Sequence, residues 1–253
     1  MARRDWTREE LILAFNLYCK IPFGRIHIRN PEIAELATLI GRTPSAVSWK
    51  LANFARLDPA LRERNVVGAR HGGKAEVEIW EEFDKDWESL SFESERLLAK
   101  LKHVPIERLA GILPDEPILK GTESQQMIQV RVNQNFFRQM ILASYGYHCC
   151  ITGLAMPELL NASHIVPWAI DKKNRLNPRN GLCLNALHDR AFDKGFITIT
   201  GDYRVRISQK LKASSDDVSS FLLKYDGVAI RPPDRFIPDI NFLIYHNDHV
   251  FLK

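Results

Sequence analysis

The stretch from Cys150 to Gly195 most constrains what this 253-residue chain can fold into. Leu159 to Val166 is an apolar run that carries His164 near its end, and Pro167 and Trp168 break it. Residues 170–180 are polar and basic (Lys172, Lys173, Arg175, Arg179) and close on the turn pair Asn180-Gly181. Leu182 to Leu184 is a second short apolar run, and a helix begins at Asn185 or Ala186 and continues to about Lys194, carrying His188. Short apolar runs bounded by turn residues read as strands. The stretch therefore predicts strand, loop, strand, helix: a ββα unit.

The elements around it are less constrained. Val130 to Tyr145 is expected to start extended and become helical, with Phe136, Phe137, Met140 and Ile141 facing a core. Ile197, Ile199, Tyr203, Val205 and Ile207 alternate around Thr200-Gly201-Asp202, the pattern of a hairpin. Arg231-Pro232-Pro233 reads as a loop, and the closing FLIYHNDHVFL as a helix that packs back on the domain.

Three helices are predicted near the N-terminus. Thr7 caps the first, with Glu10 at the capping-box position and Leu11, Ala14, Phe15 and Tyr18 at helical spacing. Asn30 caps the second ahead of Pro31, and Gly41 stops it. Thr43 caps the third ahead of Pro44. This pattern resembles a helix-turn-helix or Myb-like module, whose last helix enters the major groove. On that resemblance Ser45, Ser48, Trp49 and Asn53 are candidate base readers, and Arg42, Lys50 and Arg56 candidate phosphate contacts. The competing reading is a three-helix bundle that packs on the rest of the protein or on a partner, with Trp6 and Trp49 as packing residues.

Residues 57–74 read as a loop-rich connection containing His71. Residues 75–101 read as helical throughout, with a break near Ser89–Ser94, forming a connector or dimerisation helix. Gly111 to Gly121 reads as an interdomain linker. The expected domains are 1–70, 71–125 and 126–253.

Charge follows the same division. Residues 1–70 carry 12 Lys or Arg against 7 Asp or Glu, residues 75–125 carry 6 against 13, and residues 126–253 carry 16 against 11. Two basic ends around an acidic middle suit phosphate-binding surfaces. No apolar run reaches the roughly 20 residues of a membrane span. The charged start lacks a secretory h-region, so the expected location is the cytoplasm. Cys19, Cys149, Cys150 and Cys183 show no disulfide-framework or CxxC spacing, so buried reduced thiols are expected and no structural zinc.

The segments ASHIVPW, NPRNGLCLN and LHDRAFDKG resemble the HNH nucleases, and more narrowly the HNH domains of predicted restriction endonucleases, over residues 147–200. A looser likeness extends to the C-terminus. The implied fold class is α+β, with an N-terminal helical (helix-turn-helix/Myb-like) domain followed by a C-terminal ββα-metal HNH domain.

The resemblance implies a metal-dependent endonuclease that hydrolyses phosphodiesters, with His164 as general base, Asn180 constraining the loop that orients it, and His188 binding one divalent cation. Mg²⁺ or Mn²⁺ is expected, and a histidine ligand also admits Ni²⁺ or Zn²⁺. Ser163 departs from the family pattern, where an Asp or His often supplies a second metal ligand. Asp189 and Asp193 are the alternative ligands, or else a solvated carboxylate and a turn residue. Arg179 and Arg190 are candidate phosphate clamps, or else plain surface charge. The expected partner is double-stranded DNA, with a homodimer as one route to cutting both strands and no membrane. The expected role is restriction or host defence. The rival reading is an HNH-fold DNA-binding regulator without full catalysis.

Overall fold

The structure is a computed structural model that describes residues 4–65, 73–109, 122–213 and 217–253. The chain divides into two compact units, Met1–Ala143 and Ser144–Lys253. No helix among the described residues is long and apolar enough to cross a membrane.

The first unit is helical. Helix α1 (Arg8–Lys20) starts at Thr7 with both halves of the capping box made, the Thr7 side chain accepting from Glu10 N and the Glu10 side chain from Thr7 N. Helix α2 (Pro31–Leu39) starts at Asn30, whose side chain accepts from Glu32 N and Ile33 N. Helix α3 (Pro44–Ala55) starts at Thr43, which accepts from Ala46 N. Gly41 takes a left-handed φ of +63° in the turn between α2 and α3, the conformation glycine adopts most easily.

Asp58 and Pro59 open a further short helix, α4 (Pro59–Glu63), inside the segment expected to be loop. The Asp58 side chain accepts from Ala60 N, and proline needs no partner at the first helical position. His71 lies outside the described residues.

Residues 74–102 form two helices. Helix α5 (Lys74–Phe83) ends before Asp86, which caps α6 (Trp87–Lys102) by accepting from Ser89 N. The break thus falls earlier than Ser89–Ser94, because an aspartate cap is available at Asp86. Ser91 and Ser94 sit buried inside α6. The pair is also not a free connector. The fully buried Phe15 ring of α1 lies 5.3 Å from Trp80, 5.9 Å from Trp87 and 4.9 Å from Phe54 of α3. Burying one such side chain contributes roughly 1.5–3 kcal/mol, so the aromatic centre makes α5 and α6 part of this unit's core. Two of their acids are buried there too: Glu95 pairs with Lys20, and Glu76 with Lys50.

After α7 (Ile106–Leu109), the expected linker at 111–121 lies outside the described residues. Helix α8 (Thr122–Ser144) is helical from its start rather than extended at Val130. Ile128 and Val132 pack with Phe92 and Ile106, and this apolar burial offsets the small helix penalty of the β-branched residues.

The second unit holds the sheets. Strands β1 (Leu160–His164) and β2 (Gly181–Asn185) pair antiparallel, with His164 opposite Gly181 and Leu160 opposite Asn185. Helix α9 (Ala186–Asp193) follows directly, capped by Asn185. Strands β3 (Ile197–Ile199) and β4 (Val205–Ile207) form the expected second hairpin. Two short helices follow, α10 (Gln209–Lys212) and α11 (Asp217–Leu223), and then α12 (Ile240–His249).

The glycine ending the α9 turn is sterically required. Gly195 has φ +71°, and a β-carbon there would sit 2.1 Å from the Val250 carbonyl oxygen. Leu252 N donates to Gly195 O across the same contact. All four cysteines are buried and none is in a disulfide.

Candidate active site

β1 delivers His164 to its end, and the loop that follows fixes the ring. His164 Nε2 lies 2.8 Å from the Arg175 carbonyl oxygen. A carbonyl only accepts, so Nε2 carries the proton and the lone pair of the neutral ring resides on Nδ1. Burial lowers the His164 pKa from its ordinary value, opposed in part by the bond to the Arg175 carbonyl. The ring also meets Trp168 edge-on at 5.4 Å, and the Arg175 guanidinium stacks over Trp168 at 5.0 Å.

The Arg175 carbonyl is placed by a chain of amide-built turns. Asp171 accepts from Lys173 N and Asn174 N, Asn177 donates to the Asn174 side chain at 3.0 Å, and Asn177 accepts from Arg179 N. Asn180 locks this loop to the strand. It is fully buried, accepts from Val166 N at 2.8 Å, and donates to Val166 O and Asn174 O, each at 3.2 Å. All three partners of its side chain are main-chain atoms, so its local effect is to position the loop beside His164.

His188 stands in the first turn of α9, with both ring nitrogens informative. Asn185 Oδ1 accepts from His188 N and lies 3.0 Å from His188 Nδ1. That oxygen already serves as an acceptor, so Nδ1 donates and Nε2 is the bare nitrogen. Nε2 is buried and has no hydrogen-bond partner. Burial, with a smaller contribution from the Lys224 charge, pushes the His188 pKa down to about 4, so the ring is neutral at physiological pH. A neutral imidazole oriented through one nitrogen, with the other bare, fits a metal ligand.

On β1, the buried side-chain oxygen of Ser163 also has no hydrogen-bond partner. Residues two apart share a strand face, so Ser163 shares one with Asn161, which donates to Asp189 on α9 at 2.7 Å. Asp189 is half-buried and Asp193 exposed. Although its surface is open to solvent, the protein packed around the Asp193 carboxyl partly desolvates it, and this with the neighbouring Asp189 raises its pKa. Among the described residues no three His, Cys, Asp or Glu side chains converge on one metal position. Arg190 is exposed on α9 and Arg179 half-buried in the loop.

The N-terminal candidates divide. Arg42, expected at phosphate, instead bonds Glu10 at 2.7 Å and the carbonyls of Arg4 and Asp5, and stacks over Trp6 at 4.1 Å. Lys50 and Asn53 both bond the buried carboxylate of Glu76. Trp6 packs as expected, whereas Trp49 is 62% exposed on α3 rather than packed. Ser45 is exposed and Ser48 half-buried.

Sequence reasoning did not single out Arg175 for its carbonyl, Asn185 as the His188 partner, or Trp168. The Asn185 signal was its cap position. The Arg175 carbonyl had none, because any residue supplies one.

No curated protein matches the chain. Residues 149–200, which hold β1, β2 and α9, match the HNH_2 family, described as HNH endonuclease, and the C-terminal unit therefore carries an HNH-family nuclease domain.

Proposed function

We propose that the chain is a metal-dependent DNA endonuclease of restriction or host-defence type. The observation that carries this reading is His188, whose Nδ1 is held by Asn185 and whose buried Nε2 has no partner. His188 would hold one divalent cation, Mg²⁺ or Mn²⁺ by preference, with Ser163 or an Asp189 or Asp193 carboxylate beside it. Such an ion supplies charge stabilisation to the phosphate and the leaving oxygen. His164 Nδ1 takes the proton from the attacking water, whose oxygen bonds phosphorus as the phosphorus–oxygen bond to the leaving oxygen breaks and that oxygen takes up a proton from solvent water. The lowered pKa keeps His164 unprotonated for this step near neutral pH. Asn180 keeps the Arg175 carbonyl and the base in register.

The three N-terminal helices support a helix-turn-helix reading, with α3 as the DNA-facing helix and Ser45, Ser48 and the exposed Trp49 on offer. Arg42, Lys50 and Asn53 would reach DNA only by exchanging Glu10 and Glu76 for phosphate or base edges. Arg179 and Arg190 are the proposed clamps at the cutting site. One site per chain cuts both strands through a homodimer or by sequential nicking.

Plasmid DNA, with and without modified bases, is incubated with the protein in Mg²⁺ or Mn²⁺. Wild type is expected to nick or linearise it and His164→Ala to leave it intact; equal, uncut plasmid from both overturns the reading. Ser163 and the lack of a three-ligand cluster among the described residues favour a second reading, a DNA-binding regulator. A gel shift independent of metal, without cutting, would select it.

A further inference from the structure

Helix α11 and the residues after it lie beyond the 149–200 match, yet they reach His188. The His188 ring meets Tyr225 edge-on at 5.2 Å and Phe221 at 6.1 Å, and these two rings meet each other at 6.2 Å. The Lys224 ammonium stands over both, 4.2 Å from the Phe221 centroid and 5.1 Å from that of Tyr225. The three-ring cluster therefore fixes a positive charge beside the candidate metal ligand. Lys224 is exposed, and no described acid pairs with it. The acid two residues on, Asp226, pairs with Lys212 at 2.6 Å and accepts from Ile207 N.

We infer that Lys224 binds a non-bridging oxygen of the DNA phosphate held at His188, as a further substrate-contacting residue of the site. The inference rests on the nuclease reading above. A lysine and a divalent cation placed side by side repel each other unless an anion lies between them. A phosphodiester supplies that anion, and its charge is greatest as the water bonds to phosphorus, when a fixed ammonium contributes most. The edge-on rings suit the task. They hold the ammonium through their faces without neutralising it, as a carboxylate would.

The test uses the full chain with Lys224→Met, which keeps an apolar stem against the rings, and Lys224→Arg, which keeps the charge. Steady-state cleavage of a duplex in Mn²⁺ gives kcat and KM. Duplex binding against salt is measured in a His164→Ala background, so that nothing is cut. Thermal midpoint and Mn²⁺ affinity of the metal-free protein report the fold and the ligand site. Lys224→Met is expected to lower kcat/KM by roughly tenfold to a hundredfold and to reduce the salt slope by about one. Its thermal midpoint and Mn²⁺ affinity should hold, and Lys224→Arg should recover most of the loss.

Wild type that cuts, with Lys224→Met matching it in kcat, KM and salt slope, overturns the assignment alone. So do equal losses in the Met and Arg variants accompanied by a lowered thermal midpoint, which mark a packing role. Wild type that cuts nothing overturns the nuclease reading, and the assignment with it.

Discussion

Asn185 and His188 are joined twice through a single oxygen: Asn185 Oδ1 caps the helix at His188 N and orients the ring at Nδ1. Helix start and ring direction are thus set together. Asn185→Ala should cost about 1 kcal/mol for the cap and weaken metal binding by roughly tenfold to a hundredfold through loss of the ring's outer partner. Asn185→Asp, which keeps the acceptor, should retain both. Thermal unfolding and Mn²⁺ titration of the three proteins check this.

Asn180→Ala should be among the more damaging single changes in the loop. It leaves the buried Val166 N–H without its acceptor and removes both links to carbonyls. An unsatisfied buried group costs about 1–3 kcal/mol, so a comparable fall in unfolding free energy is expected, with a larger fall in cleavage as His164 loses its frame. Denaturant unfolding alongside cleavage rates separates the two. A normal stability for Asn180→Ala would contradict the positioning role.

Gly195→Ala and Gly41→Ala form a matched pair. Both glycines have positive φ, but a β-carbon at Gly41 meets nothing within 4 Å, while at Gly195 it strikes the Val250 carbonyl at 2.1 Å. Gly41→Ala should cost about 1 kcal/mol of backbone strain. Gly195→Ala should cost several-fold more or prevent soluble expression, because main chain must move. Comparing their melting temperatures and soluble yields tests the difference.

His246 makes stability depend on pH. Its Nε2–H donates to Phe192 O, Thr198 bonds Nδ1, and burial lowers its pKa from 6.5 to about 4. The unfolded chain therefore binds the proton more readily than the folded one between these values. Stability should be complete above pH 6.5 and fall as pH drops towards 4, by up to roughly 3 kcal/mol. Urea unfolding at pH 7.5 and at pH 5 should show the loss, and His246→Gln should have a flatter dependence than wild type whatever its absolute stability.

Local chemistry made much of this legible. Thr7, Asn30 and Thr43 each announce a helix by a cap, and His164, Asn180-Gly181 and Asn185 mark the edges of the ββα unit. What escaped was non-local. The break expected near Ser89–Ser94 falls at the Asp86 cap instead, and the packing of Trp80 and Trp87 on Phe15 is what draws both helices into the core. Arg42 and Lys50 look like free cations in sequence because Glu10 and Glu76 are distant or separately placed. Lys224 carries no local signal, since its meaning comes from two rings that touch a histidine 36 positions earlier.

The Arg175 contact has an engineering consequence. What holds the His164 ring at position 175 is main chain, so the side chain there can be exchanged while the anchor stays. Spacing has no such latitude. One residue inserted between Asn174 and Arg175 would displace the carbonyl by up to about 3.5 Å, more than a hydrogen bond's length. Variant libraries of this loop should therefore hold residue count constant and vary identity, treating the stretch between Val166 and Asn180 as a ruler.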